Sequence, residues 1–139
     1  MILYADAFSG ISGDMMLGGL IDLGTPAGWL KDQLHGVLGG FDIKTQTVYR
    51  NHLRAVDLTV EITDKTPSHR HYTDIRKMIE NSNLPESVKF NSLEAFKKIA
   101  QAEAKIHGKN IEEVHFHEVG AIDSLVDIIG TFLAVDYLD

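Results

Sequence analysis

His69 and His71 in one short stretch, and His115, His117 and Glu118 in another, put two H-x-H clusters into a chain of 139 residues that has no cysteine. In an extended segment, alternate residues point the same way, so each cluster presents two imidazoles on one side. Four imidazoles and a carboxylate are a donor set for one or two first-row divalent metal ions. The lack of cysteine removes thiolate ligands, cysteine nucleophiles and disulfides together. Asp6 ends an apolar N-terminal stretch, near the turn into the first helix. The plainer alternative is one cluster at a loop tip and the other as a hydrogen-bonded strand end.

Acids come next. In "AIDSLVDIIGTFLAVDYL" (121–138), Asp123 and Asp127 are one helical turn apart, on a stripe with Gly130, Thr131 and Ala134. Ile122, Leu125, Val126, Ile128, Ile129, Phe132, Leu133 and Val135 occupy the other directions, the pattern of a helix buried almost all round. A buried ionised carboxylate needs a cation, a protonated histidine or ligand hydroxyls beside it. Proximity to the helix start explains Asp123 but not Asp127. Glu103 and His107, four apart, fall on or beside the apolar stripe Leu93, Phe96, Ala100 and Ala104; an internal ion pair and a ligand role both fit. Lys97, Lys98, Lys105 and Lys109 read as the solvated face of that helix, and His35 and His52 have no cluster around them.

A third group is the turn "SGISGD" (9–14). Ser9, Gly10, Ser12, Gly13 and Asp14 lie where an extended segment feeds a helix, so backbone N–H groups could converge on an anion. The spacing matches neither a dinucleotide fingerprint nor a P-loop. Asp14 there opposes a bare phosphate but favours the helix itself, and a plain glycine turn is the alternative reading.

These residues are positioned by a β-α-α-β-β-α-α-(β)-α order. A strand is expected over 2–7, a helix from about Asp14 closed by Gly24, and a second helix with Thr25 as N-cap and Pro26 at its first position. Two antiparallel strands should join around Arg50-Asn51-His52, and the polar stretch 63–74 should be a loop. A helix follows Thr73, another runs from Pro85 to His107 and stops at Gly108, and the last begins near Ala121. The expected fold class is α/β or α+β, a small mixed sheet (the N-terminal strand plus the antiparallel pair) packed with about five helices. The length suits one domain spanning 1–139.

The formal net charge is −7 and the 13 basic residues form no run, so no nucleic-acid footprint is expected. No apolar stretch is long enough to span a bilayer, and no leader pattern precedes "MILYADAF", so the expected location is the cytoplasm. The sequence ends inside an apolar helix, which reads as a piece of something longer.

The blocks "DAFSGISGDMMLGGLIDLG" (6–24), "HRHYTDIR" (69–76), "IAQAEAKIHG" (99–108) and "VHFHEVGAIDSLVDIIG" (114–130) resemble the LarC family of nickel-insertion proteins, in the same order and over essentially the whole chain. One departure is Ala7, where the family often has cysteine. The resemblance implies insertion of nickel into pyridinium-3,5-bisthiocarboxylic acid mononucleotide, giving the nickel-pincer cofactor of lactate racemase. It also implies coupling to CTP hydrolysis, with Mn or Mg accompanying CTP in a C-terminal region that this chain does not include. His69, His71, His115, His117, Glu118 and Asp6 then become candidate nickel donors. Forming a nickel–carbon bond removes a ring proton, so Asp123, Asp127 or His117 becomes the candidate base. Ser9, Gly10, Ser12, Gly13 and Asp14 become candidates for holding the mononucleotide, with a cation bridging to the acids. The implied partners are that substrate, a C-terminal region or companion chain of the same family, and a homo-oligomer; neither nucleic acid nor membrane is implied. Two other classes remain open: a nickel store or delivery module serving a catalytic partner, and a metal-dependent phosphohydrolase.

Overall fold

The computed structural model describes residues 2–64, 70–116 and 119–139. Among the described residues, five α-helices and two separate two-stranded antiparallel sheets make up an α+β fold. In chain order these are α1 (Gly13–Asp22), α2 (Ala27–His35), β1 (Phe41–Arg50), β2 (Leu53–Ile62), β3 (Arg70–His71), α3 (Tyr72–Glu80), α4 (Glu86–His107), β4 (His115–Phe116) and α5 (Ile122–Leu138).

The apolar run of α5 makes it the hub, packed against α1, α2 and α4. Leu125, Val126, Ile129 and Leu133 are buried in a core shared with Leu17 of α1, Leu30 and Leu34 of α2, Ile75 and Ile79 of α3 and Phe96 of α4. Each such side chain contributes roughly 1.5–3 kcal/mol by leaving water. The helix is more one-sided than its sequence suggests, because Val135, Asp136 and Tyr137 are exposed in its last turn. Helix α2 buries Leu30 and Leu34, one turn apart. Thr25 does not cap that helix; its buried hydroxyl donates to the Ala134 carbonyl at 3.5 Å and so ties the start of α2 to α5.

β1 and β2 form the expected hairpin, with ten residue pairs from Phe41↔Ile62 to Arg50↔Leu53. Asn51 and His52 turn it with φ of +49° and +67°, the left-handed pair that matches the twist of a two-residue hairpin. Helix α1 lies directly on β2: a β-carbon on Gly18 would fall 2.4 Å from the Val56 carbonyl oxygen. Helix α4 ends as expected, at Gly108 in the left-handed region (φ 62°).

The expected N-terminal strand is absent. Residues 2–7 form no strand and pair with neither edge of the hairpin. Ile2 and Tyr4 are 95% and 83% exposed. Alternating apolar residues satisfy the strand pattern, but only a hydrogen-bonded neighbour makes a strand. The sheet is therefore not one mixed sheet. Its second part is the two-residue ladder of β3 and β4, which emerges from the stretch expected to be loop. Among the described residues, no helix is long and apolar enough to cross a membrane.

Candidate functional site

The β3–β4 ladder pairs Arg70 with Phe116 and His71 with His115. Phe116 turns into the core and is fully buried, so its neighbour His115 is forced to the outer side. His71 ends β3 and precedes the first turn of α3, where the Asp74 carboxylate accepts its backbone N–H at 3.0 Å. The two rings face each other at 4.4 Å between centroids and 72° between planes. Nδ1 of His115 lies 3.3 Å from Nε2 of His71. Two nitrogens ~2.0–2.1 Å from a shared ion at a tetrahedral angle are separated by about 3.4 Å, so this spacing suits a common metal. His69, His117 and Glu118, the other donors expected from the sequence, lie outside the described residues.

The H-x-H segments are held together by more than the ladder. Arg70 donates from Nη1 to the Gly120 carbonyl at 2.9 Å, linking β3 to the residues that lead into α5. A side chain at Gly120 would crowd the Phe116 carbonyl and the Arg70 backbone nitrogen, at 3.1 and 3.3 Å from its β-carbon.

The second group lies where α5 passes the start of α1. The Asp127 carboxylate packs against the α-carbon of Gly13, within the space that any larger residue would need. Asp127 is half-buried, and its Oδ1 is buried without a hydrogen-bond partner among the described residues. Burial, and then the neighbouring charges of Asp14 and Asp123, push its carboxyl up from 3.8 to about 6. Asp14 and Asp123 are exposed by contrast. Asp14 accepts from the Ser12 hydroxyl and, at 2.8 Å, from the Met15 N–H. Asp123 accepts the Ser124 N–H at 2.7 Å.

Ser9 and Gly10 form the exposed turn before α1, with the Gly10 N–H on the Ala7 carbonyl at 2.9 Å and a φ of +86°. The turn into a helix is thus as expected. Its N-terminus, however, already faces a carboxylate of its own chain, so an incoming phosphate meets three acids there. Asp6 is exposed in the segment before the turn.

The sequence pointed to the turn and to Asp127 as separate features; the structure joins them. Their contact has a trace in the sequence, since Gly13 has no side chain to compete for the space, but nothing in the spacing names its partner. Among the described residues, no three histidine or acidic side chains converge as a metal-binding set. The imidazole pair and the carboxylate group are two separate clusters among the described residues.

The chain matches the nickel insertion protein family over residues 3–139. It is 47% identical to the pyridinium-3,5-bisthiocarboxylic acid mononucleotide nickel insertion protein of Acetivibrio thermocellus, an alignment covering 99% of this chain and 36% of that one. It is 45% identical to the protein of the same name from Staphylococcus epidermidis, over 98% of this chain and 34% of the relative. This chain belongs to the nickel insertion protein family. It spans about a third of the length of the curated relatives it matches. No solved structure matches it.

Proposed function

We propose that residues 1–139 form the metal-handling N-terminal domain of a protein that inserts nickel into pyridinium-3,5-bisthiocarboxylic acid mononucleotide. The product in this reading is the nickel-pincer cofactor of lactate racemase. CTP hydrolysis, with its Mn or Mg, belongs to the C-terminal region or a companion chain. Nickel is here a substrate. The observation that carries the reading is the 3.3 Å spacing of His71 Nε2 and His115 Nδ1, presented by elements that the fold holds in register. The relatives' names supply the ion and the acceptor.

In this reading His71 and His115 hold the arriving ion, and His69, His117 and Glu118, adjacent to them in sequence, complete its coordination. Asp127 suits the proton step. As the ring carbon exchanges its hydrogen for nickel, the C–H electron pair becomes the nickel–carbon bond and the proton passes to the carboxylate. A base is most useful when its pKa lies near the working pH, and about 6 satisfies that. Ser12 and Asp14, beside it, would orient the mononucleotide through a bridging cation.

A second reading is a nickel-delivery module whose chemistry occurs on a partner chain. The separation of the imidazole pair from the Asp127 group among the described residues favours it. The phosphohydrolase class has no support from relatives named for nickel insertion.

Calorimetric nickel titration of the wild type and of His71→Ala/His115→Ala tests the proposal. The double variant should lose the tightest site; unchanged stoichiometry and affinity would remove the imidazole assignment. Turnover tests then separate enzyme from module. Asp127→Asn within the complete protein should retain nickel binding but slow cofactor formation by roughly 10²–10⁴-fold, whereas a pure delivery module would show no such loss.

A further inference from the structure

Glu103 and His107 sit one turn apart at the C-terminal end of α4, with His107 Nε2 3.2 Å from Glu103 Oε2. They do not point into bulk solvent alone. With Lys109, Val114 and His115 they line a cavity of about 260 Å³. His115 thus has the His71 ring beside it and shares this cavity with the Glu103–His107 pair. Lys109, which the sequence assigns to the solvated face, belongs to the same lining.

Several properties suit this pair to more than an ordinary helix-surface ion pair, which contributes little to stability. Its donor separation matches that of the His71–His115 pair, and both suit neighbouring ligands ~2.0–2.1 Å from one ion. A residue and its i+4 neighbour on a helix form a natural two-donor chelate, as in helical metal sites built on that spacing. The last turn of a helix also carries partial negative charge on its free carbonyls, which favours a cation there. The cavity has room for several waters of a partly hydrated ion at ~30 Å³ each. Lys109 gives the same space positive charge for an anion accompanying the metal.

The geometry points to a second divalent-cation site, with Glu103 and His107 as its protein ligands and a first-row ion such as nickel as its occupant. It adjoins the His71–His115 pair across one cavity and serves as a waiting position from which the ion passes to those imidazoles. That relay role rests on the nickel-handling reading above, whereas the binding site itself stands on its own donors.

The test is calorimetric titration of the tag-free 139-residue chain with nickel chloride, on wild type, Glu103→Gln/His107→Ala and His71→Ala/His115→Ala. Circular dichroism melting confirms that each variant is folded. Paramagnetic broadening of the His107 ring resonances by nickel, in the wild type, provides a reading that needs no variant. Two equivalents are expected for the wild type and one for each double variant, with His107 broadened in the wild type and in His71→Ala/His115→Ala. A wild-type isotherm for Glu103→Gln/His107→Ala, or His107 resonances unaffected at saturating nickel, overturns the site. If His71→Ala/His115→Ala instead retains both equivalents while the Glu103 variant loses one, this site stands and the imidazole assignment falls.

Discussion

A β-carbon at residue 13 would lie 2.3 Å from both Cγ and Oδ2 of Asp127 and 2.4 Å from its Cβ, so the first residue of α1 and the second turn of α5 share one space. The conflict reaches the Asp127 β-carbon, so rotating the carboxylate alone does not resolve it. Gly13→Ala is expected to cost about 1–3 kcal/mol as overpacking, read as a lower melting temperature. Combined with Asp127→Gly the same change should cost much less, because the competing atoms, the β-carbon included, are gone. Equal costs in both backgrounds would show that the two residues do not meet.

The raised carboxyl of Asp127 makes stability fall as pH rises. Between 3.8 and about 6 the folded protein holds a proton that the unfolded chain has released, so increasing pH through that window favours unfolding. Above it the penalty is constant. The full shift would correspond to about 3 kcal/mol, but Asp127 is half-exposed, and screening by water reduces this to roughly 1 kcal/mol. Asp127→Asn, neutral throughout, should match the wild type below about pH 4. In metal-free buffer at neutral pH it should melt about 3–5 °C higher. A lower melting temperature for the variant at neutral pH would mean that the carboxylate already has a favourable partner.

His52 provides a contrast between histidines. It occupies a left-handed turn position (φ +67°) and belongs to neither histidine group. Replacing it with glycine relieves strain of about 1–2 kcal/mol, partly offset by the greater freedom of unfolded glycine. Thermal denaturation should show a gain of roughly 0.5–1 kcal/mol, with an unchanged nickel isotherm. A changed isotherm would bring His52 into the metal chemistry.

Ser92 is fully buried in α4 and its hydroxyl has no hydrogen-bond partner among the described residues. An unsatisfied buried hydroxyl costs about 1–3 kcal/mol, so Ser92→Ala should leave stability unchanged or raise it in denaturant titration. A loss above ~1 kcal/mol would reveal a partner for Oγ.

Local patterns carried much of the fold. The hairpin follows from alternation on both sides of Asn51-His52, and α4 from a periodic run between Pro85 and Gly108. Phe116 could be placed in the core because a lone aromatic between two histidines in an extended segment must face the other way. Residues 2–7 show the limit, since an alternating pattern does not reveal whether a neighbouring edge exists. The site was legible as donor types and not as groupings. That His71 opposes His115 follows from register across a ladder of two residue pairs, which sequence spacing does not encode. The meeting of Gly13 with Asp127, and of His107 with the His115 cavity, depends on how helices cross, which is fixed by packing far from those residues.

The His71–His115 pair joins positions 44 apart in a chain with no cysteine. An ion held by both rings is a removable cross-link: it closes a long loop in the unfolded ensemble as a disulfide would, by about 4 kcal/mol in the chain-entropy description. The segment it closes contains α3 and α4 entire. Capture of the metal would therefore raise the stability of the fold by restricting the unfolded chain, and its release would remove that restriction. The cargo would set how firmly its carrier is knit.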